Sequence, residues 1–165
     1  MKSKFIVQGL AGAKTLRGEV AVAGAKNAAL KALAATVLFA DEVPFDNLPD
    51  IEDVKRMREL LAGGLPVLKK DIAEQLRASI VLTGPTLARY GTVTFPFPGG
   101  CVLGERPIDL FLEGYKAMGA TVAEADDLFT ITAPSTPLGV KNLKGARIFF
   151  PSVSVTATET LLMAA

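Results

Sequence analysis

The residue best suited to acid or covalent chemistry is the single cysteine of the chain, Cys101, which follows the sequence Pro-Gly-Gly at 98–100. Isolated cysteines are most often small apolar residues of a core. Neighbouring glycines instead favour a loop whose backbone can approach a ligand closely. Arg106 favours the thiolate, which is the nucleophilic form of the side chain. We therefore predict that Cys101 is a reachable, reactive thiol, with a core position as the alternative.

A second pair of candidate residues is Lys26 and Asn27, which the pattern places in the first turn of a helix. The positive end of the helix dipole slightly disfavours a lysine at this position. Free backbone N–H groups, the dipole and the ammonium group together form a site for a phosphate or a carboxylate. We expect an anion here, and the alternative is a lysine that extends into solvent.

Two more segments carry polar groups that suit a charged ligand. Arg77 lies at the edge of an apolar helical pattern and is either a surface cation or a ligand clamp. Ser154 and the amides beside it precede the last predicted helix, where they can bind a diphosphate. The structural alternative is a capping box, in which Thr156 and Glu159 satisfy the first N–H groups of that helix.

The composition excludes several classes of chemistry. The chain of 165 residues has no histidine, so triads that use a histidine base and zinc sites of Cys/His type are ruled out. One cysteine cannot form an intramolecular disulfide, and the net charge of +1 argues against a nucleic-acid binder. No apolar run approaches the length of a membrane helix or a secretory signal. We expect one domain, or part of a larger protein, in the cytoplasm, without contacts to nucleic acid or membrane.

Strand and helix patterns alternate along the chain, and these elements must position the candidate residues. Strands are predicted at 5–7, 19–22, 65–68, 92–97, 121–122, 129–132 and 147–150. Helices are predicted at 28–40, from Asp50 or Asp53 as the N-cap to 61, at 71–90 with a break at Gly84-Pro85, at 107–118 and from about 156 onward. The order is a loose repeat of β-α-β-α-β-β, which indicates an α/β fold.

Four motifs in this order resemble those of the UDP-N-acetylglucosamine enolpyruvyl transferase family. They are Gly-Ala-Lys-Asn-Ala-Ala-Leu at 24–30, Leu-Arg-Ala-Ser-Ile at 76–80, the cysteine loop with Gly-Glu-Arg-Pro-Ile-Asp-Leu at 104–110, and Val-Ser-Val-Thr-Ala-Thr at 153–158. The cysteine loop is the most specific motif, and the set spans nearly the whole chain. The resemblance implies an inside-out α/β barrel of two lobes, each built from three β-α-β-α-β-β units, here truncated.

The resemblance also implies a role for each motif. Lys26 and Asn27 match contacts to phosphoenolpyruvate, and Cys101 matches a mobile-loop acid that can bond to phosphoenolpyruvate and is alkylated by fosfomycin. The residues that match contacts to UDP-N-acetylglucosamine are Arg77, Arg106, Pro107, Ile108, Asp109, Leu110, Val153, Ser154 and Val155. The family reaction moves enolpyruvyl onto the sugar 3-hydroxyl in peptidoglycan precursor synthesis, with no metal and no organic cofactor.

The same resemblance divides the chain. Residues 1–22 are expected to belong to the second lobe of a complete enzyme, and residues 23–165 to the first lobe, which is incomplete at its C-terminus. The helical pattern at 160–165 stops without a capping signal, so we expect an N-terminal part whose partner is the missing C-terminal lobe. The alternatives are a nucleotide-sugar-binding module without turnover and an enolpyruvyl transferase that acts on shikimate 3-phosphate.

Overall fold

The computed structural model describes residues 4–9, 12, 15, 17–99, 107–136 and 139–165. Its helices are α1 (Lys26–Ala35), α2 (Glu52–Ala62), α3 (Lys70–Ala73), α4 (Thr83–Tyr90), α5 (Asp109–Ala117) and α6 (Val155–Leu162). Two 3₁₀ segments, Thr36–Leu38 and Arg77–Leu82, follow α1 and precede α4. The strands are β1 (Thr92–Pro96), β2 (Thr121–Ala125) and β3 (Leu128–Thr132).

The three strands form one antiparallel sheet with the order β1-β3-β2. Strands β2 and β3 are joined by a two-residue turn of Asp126 and Asp127, which both have positive φ. Turns with this geometry match the right-handed twist of the strands in a hairpin. On one face Val93 pairs with Ile131, and both side chains are buried. On the strands' other face Thr94 and Thr130 share a hydroxyl hydrogen bond of 3.0 Å. The alternation therefore presents one apolar face to the helices.

The helices pack over this face around a continuous apolar core. At its centre Tyr115 of α5 is fully buried, and its hydroxyl lies 2.7 Å from the hydroxyl of Thr83 at the start of α4. Burial raises the pKa of Tyr115 above its ordinary value. The contact gives the buried phenol a partner, and the hydroxyl of Thr83 also donates to the carbonyl of Ile80 at 2.6 Å.

Two glycines let helices approach α6 more closely than any side chain would permit. A Cβ on Gly84 of α4 would collide with the backbone carbonyl of Thr160, and one on Gly114 of α5 would collide with the side chain of Leu161. Helix contacts at backbone distance require residues without a side chain. These two positions therefore hold the C-terminal half of α6 against the core.

The predicted helix at 71–90 is wrong as a single element. The segment divides into α3, the 3₁₀ segment and α4, and the break expected at Gly84-Pro85 lies just before this pair, between Leu82 and Thr83, so that both residues fall in the first turn of α4. Proline is tolerated there, since the first N–H groups of a helix have no intrahelical acceptor. Capping of α2 by Asp50 or Asp53 is also wrong: its N-cap is Ile51, without a side-chain hydrogen bond.

Several predicted strands are not strands in the structure. The prediction at 65–68 is reduced to a single bridge between Val67 and Thr94, and residues 5–7, 19–22 and 147–150 are irregular. The apolar side chains of these irregular segments are largely exposed, with Phe5 at 100%. Strand-forming residues become strands only when a neighbouring strand accepts their backbone hydrogen bonds. The described part of the chain provides no partner strand for these three segments.

Candidate functional site

A cavity of about 620 Å³ opens where the starts of three helices meet. The first turns of α1, α2 and α6 all contribute to its wall, together with the 3₁₀ segment and the residues around the start of α5. Its charged and polar lining residues are Lys26, Asn27, Lys31, Asp53, Gln75, Arg77, Ser154 and Thr156. Helix N-termini present free N–H groups and a partial positive charge, so the arrangement suits an anionic ligand.

The position of Lys26 depends on a close approach between two segments. A Cβ on Gly24, just before α1, would collide with the backbone carbonyl of Asn47, which itself has a positive φ of 57° in the segment before α2. This contact brings the first turns of α1 and α2 side by side. The ammonium group of Lys26 consequently forms an ion pair with the carboxylate of Asp53. The carboxylate offsets the unfavourable placement of a lysine at a helix start.

A second ion pair crosses the cavity wall from α1 to α6. The ammonium group of Lys31 lies 3.0 Å from Oε2 of Glu159. That oxygen is buried from solvent and has no hydrogen bond of acceptable geometry, so the ion pair is its compensation among the described residues. The Glu159 side chain as a whole is 38% exposed, so the pair contributes modestly to stability while it connects α6 to α1.

Arg77 connects the two sides of the cysteine segment. Its Nη1 donates to the carbonyl of Pro98 at 3.1 Å and its Nη2 to the carbonyl of Pro107 at 3.5 Å, while the guanidinium lies 5.8 Å from the ring centre of Phe97. Planar guanidinium groups suit such combined stacking and hydrogen bonding. Cys101 and Arg106 lie between these prolines, outside the described residues.

The start of α6 corrects the predicted capping box. The N-cap is Ser154, whose Oγ accepts a 3.2 Å hydrogen bond from the N–H of Ala157, and Thr156 lies within the helix. The hydroxyl of Thr160 donates to the carbonyl of Thr156, and Glu159 pairs with Lys31 instead of reaching back to the cap. Ser154 thus lines the cavity while its hydroxyl group caps the start of α6.

The cavity gathers most of the predicted substrate contacts that the structure describes. Those that line it are Lys26, Asn27, Arg77, Pro107, Leu110, Ser154 and Val155. Ile108 is buried, and with Asp109 it lines a neighbouring, smaller cavity. Val153 is 98% exposed and lines neither of these two cavities.

Sequence reasoning missed four of the charged or polar lining residues, namely Lys31, Asp53, Gln75 and Thr156. Lys31 and Asp53 form their ion pairs with other helices, and nothing in local spacing reports such contacts. A signal did exist for Asp53, because an acidic residue in a first turn is expected to lie at the positive end of a helix. Among the described residues no group of three His, Cys, Asp or Glu side chains could hold a metal ion.

The family model for EPSP synthase (3-phosphoshikimate 1-carboxyvinyltransferase) matches residues 10–64 and 62–165. The chain belongs to this family. The enolpyruvyl transferase NikO from Streptomyces tendae has a similar structure, with a TM-score of 0.69 over 90% of the chain and 38% of that protein, at 18% sequence identity. The predicted enolpyruvyl transferase fold is therefore confirmed.

Curated relatives in this family are closer in sequence. The chain is 39% identical over 173 residues to the UDP-N-acetylglucosamine 1-carboxyvinyltransferase of Nitratiruptor, and the match covers 93% of the chain and 40% of that protein. It is 38% identical over 181 residues to the enzyme of the same name from Gluconobacter oxydans, covering 98% and 41%. The chain thus spans about two-fifths of the length of these family members. None of the helices that the structure describes is long and apolar enough to cross a membrane.

Proposed function

We propose that this chain is the N-terminal part, with little activity of its own, of an enzyme that transfers enolpyruvyl from phosphoenolpyruvate to the 3-hydroxyl of UDP-N-acetylglucosamine in peptidoglycan precursor synthesis. The observation that carries the proposal is the cavity, because described residues of all four motifs, at 24–30, 76–80, 104–110 and 153–158, converge on it. Relatives at 38–39% identity bear the name of this activity. The proposal includes a cytoplasmic location, which a chain with one cysteine and no disulfide favours.

Each side of the cavity has a distinct role in this proposal. Lys26 and Asn27, at the start of α1, bind the phosphate and carboxylate of phosphoenolpyruvate through charge and N–H groups. The nucleotide sugar is contacted by Arg77, Arg106 and residues 107–110 and 153–155. Its diphosphate can bind to the guanidinium groups and to the start of α6. The exposure of Val153 fits a ligand contact only if the nucleotide extends beyond the cavity.

The proposed reaction has two steps. In the addition, the sugar 3-hydroxyl oxygen bonds to C2 of phosphoenolpyruvate, the hydroxyl proton is removed, and the terminal methylene carbon takes a proton to become a methyl group. In the elimination, that methyl group loses a proton while the C2–O bond to phosphate breaks, which releases phosphate and restores the double bond. Cys101 is proposed as the acid that donates the proton, because a positioned thiol can act as a general acid.

The proposal assigns residues 1–22 to the second lobe of the complete enzyme and residues 23–165 to the first. The exposed apolar residues Phe5, Ile6 and Val7 support this assignment, as do Val20 and Val22. Strand-type segments without a partner need another sheet to bury them. The C-terminal lobe, which would correspond to the remaining length of the relatives, is the proposed partner of this chain.

The test is enolpyruvyl transfer by the complete protein, followed through phosphate release and the mass of the sugar product. Phosphoenolpyruvate and UDP-N-acetylglucosamine together should yield both signals, and either substrate alone should yield neither. Product with shikimate 3-phosphate in place of the nucleotide sugar would support the other activity of the family, to which the description of the family model points. Saturable binding of the nucleotide sugar without phosphate release would support the binding module.

A further inference from the structure

Asp53 is a carboxylate in a cavity whose other features attract anions. It lines the wall together with Lys26, Lys31 and Arg77, and its partly exposed carboxylate forms an ion pair with Lys26. A negative charge beside an anion site repels the ligand, so Asp53 weakens binding unless it has a compensating effect. The geometry at Lys26 provides one.

Lys26 needs a partner to be held in the cavity. Its side chain is about half exposed, at 51%, and a lysine side chain loses much conformational entropy when it is fixed in one position. The ammonium group has three N–H donors, and one of them is sufficient for Asp53. The remaining donors are then available to a ligand.

The two helices fix the direction of this contact. Asp53 lies in the first turn of α2, where the dipole favours a carboxylate, and the contact between Gly24 and Asn47 sets the two helix starts side by side. A carboxylate held in this way presents a stationary acceptor to Lys26. The lysine side chain is therefore ordered before a ligand binds, and binding loses less conformational entropy.

We propose that Asp53 is the positioning residue for Lys26: it holds the ammonium group at the cavity so that phosphoenolpyruvate meets an ordered cation. This inference rests on the proposed function for the identity of the ligand. Asp53 itself acts through Lys26 and does not contact the reacting atoms.

The chain contains a matched control three residues earlier. Asp50 forms an ion pair of 2.9 Å with Lys55, the contact raises the pKa of Lys55, and neither residue lines the cavity. Removing Asp50 changes the net charge by the same amount as removing Asp53, close to the same helix start. The Asp50 variant therefore distinguishes the effect of losing a negative charge from the effect of losing the contact to Lys26.

The experiment measures the affinity of the chain for phosphoenolpyruvate and for inorganic phosphate from the NMR shift of the Asn27 backbone amide. Asp53→Ala should weaken phosphoenolpyruvate binding roughly tenfold, the effect expected of one charge-assisted contact. Asp53→Asn, which keeps an acceptor for Lys26, should lose less, and Asp50→Ala should match the wild type. Combined with Lys26→Ala, the Asp53→Ala change should no longer weaken binding. In the complete protein, Asp53→Ala should raise KM for phosphoenolpyruvate more than it lowers kcat.

Unchanged or tighter binding by Asp53→Ala would overturn the inference, because the carboxylate would then only repel the ligand. An equal loss in the Lys26→Ala background would also overturn it, as would a wild type in which neither anion shifts the Asn27 amide. A wild type that binds phosphoenolpyruvate with the expected variant pattern, but whose complete form transfers no enolpyruvyl, would leave the inference standing while the proposed function fails.

Discussion

At the scale of single residues, the proposal concentrates its reactive chemistry in Cys101 and its anion binding in Lys26. Lys26 has an ion-pair partner and a cavity, while Cys101 lies outside the described residues and is linked to the site through Arg77, which holds the prolines on both sides of it. The prediction for Cys101 therefore depends on its chemistry and on the resemblance.

Cys101 should be the residue that fosfomycin alkylates in the complete, sugar-bound protein. Opening of the epoxide needs a thiolate, so Cys101→Asp should abolish modification while it retains a carboxylic acid able to donate a proton. Cys101→Ala, which has neither a nucleophile nor an acid, should lose turnover as well. Intact-mass spectrometry and phosphate release distinguish these variants. Full inhibition with an unmodified Cys101 would contradict the prediction.

Tyr115 should make the fold sensitive to alkaline pH. Burial raises its folded pKa above the unfolded value of about 10, so the unfolded chain loses the phenol proton first. The stabilising effect is complete below that value and declines as the pH rises above it. Urea unfolding from neutral to alkaline pH should show a steep decline in wild type and a shallower one in Tyr115→Phe. Parallel declines in the two proteins would contradict this assignment.

At the scale of elements, α6 connects the core to the cavity. Its start contributes Ser154 to the cavity wall, Ala157 and Leu161 enter the core, and Glu159 pairs with Lys31. A displacement of this helix would therefore disturb the packing and the site together. The contacts of α6 with Gly84 and Gly114 determine how close it lies.

Gly84→Ala should destabilise the protein more than Gly114→Ala. The new methyl group at position 84 meets the backbone carbonyl of Thr160, which cannot move without the helix, whereas at position 114 it meets the end of the Leu161 side chain. Overpacking against backbone is expected to lower the free energy of unfolding by about 2–3 kcal/mol. Chemical unfolding of both variants measures the difference. Equal losses would show that Leu161 is as constrained as the backbone.

Elements with strong local patterns could be predicted from the sequence. The expectations for α1, α5, β1, β3 and α6 agree with the structure to within a few residues. The first turn of α1, with Lys26 and Asn27, was also predicted correctly. The segments at 5–7, 19–22 and 147–150 failed because strand propensity cannot show whether a pairing strand exists. Asp53 was missed as a site residue because its ion pair joins two helices whose approach depends on Gly24 and Asn47.

At the scale of the whole molecule, the described part divides into a packed region and an exposed N-terminal segment. The core residues begin at Ala29, and the apolar side chains described before Gly24 are exposed. The proposed assignment of residues 1–22 to another lobe predicts that this segment adds little to the stability of the chain.

Deletion of residues 1–22 should change the stability of this chain by less than about 0.5 kcal/mol, the range for surface changes. The same deletion in the complete protein should abolish turnover, because the second lobe would lose strands. Truncation after residue 155 is the control, since it removes Ala157, Leu161 and Ala164 from the core and should unfold the chain. Circular dichroism during chemical unfolding compares the forms. A large loss of stability from the N-terminal deletion would contradict the assignment.

The burial of Tyr115 at the centre of the core also makes the intrinsic fluorescence of the protein a measure of core opening. The chain has no tryptophan and only two tyrosines, so its tyrosine emission comes from Tyr90 and Tyr115. Tyr90 is exposed beside Arg89, whereas Tyr115 is shielded on all sides. A soluble quencher should therefore extinguish the emission of Tyr90 first and reach Tyr115 only when α4, α5 and α6 separate. In a Tyr90→Phe background, the remaining emission would follow the opening of the core without an added dye.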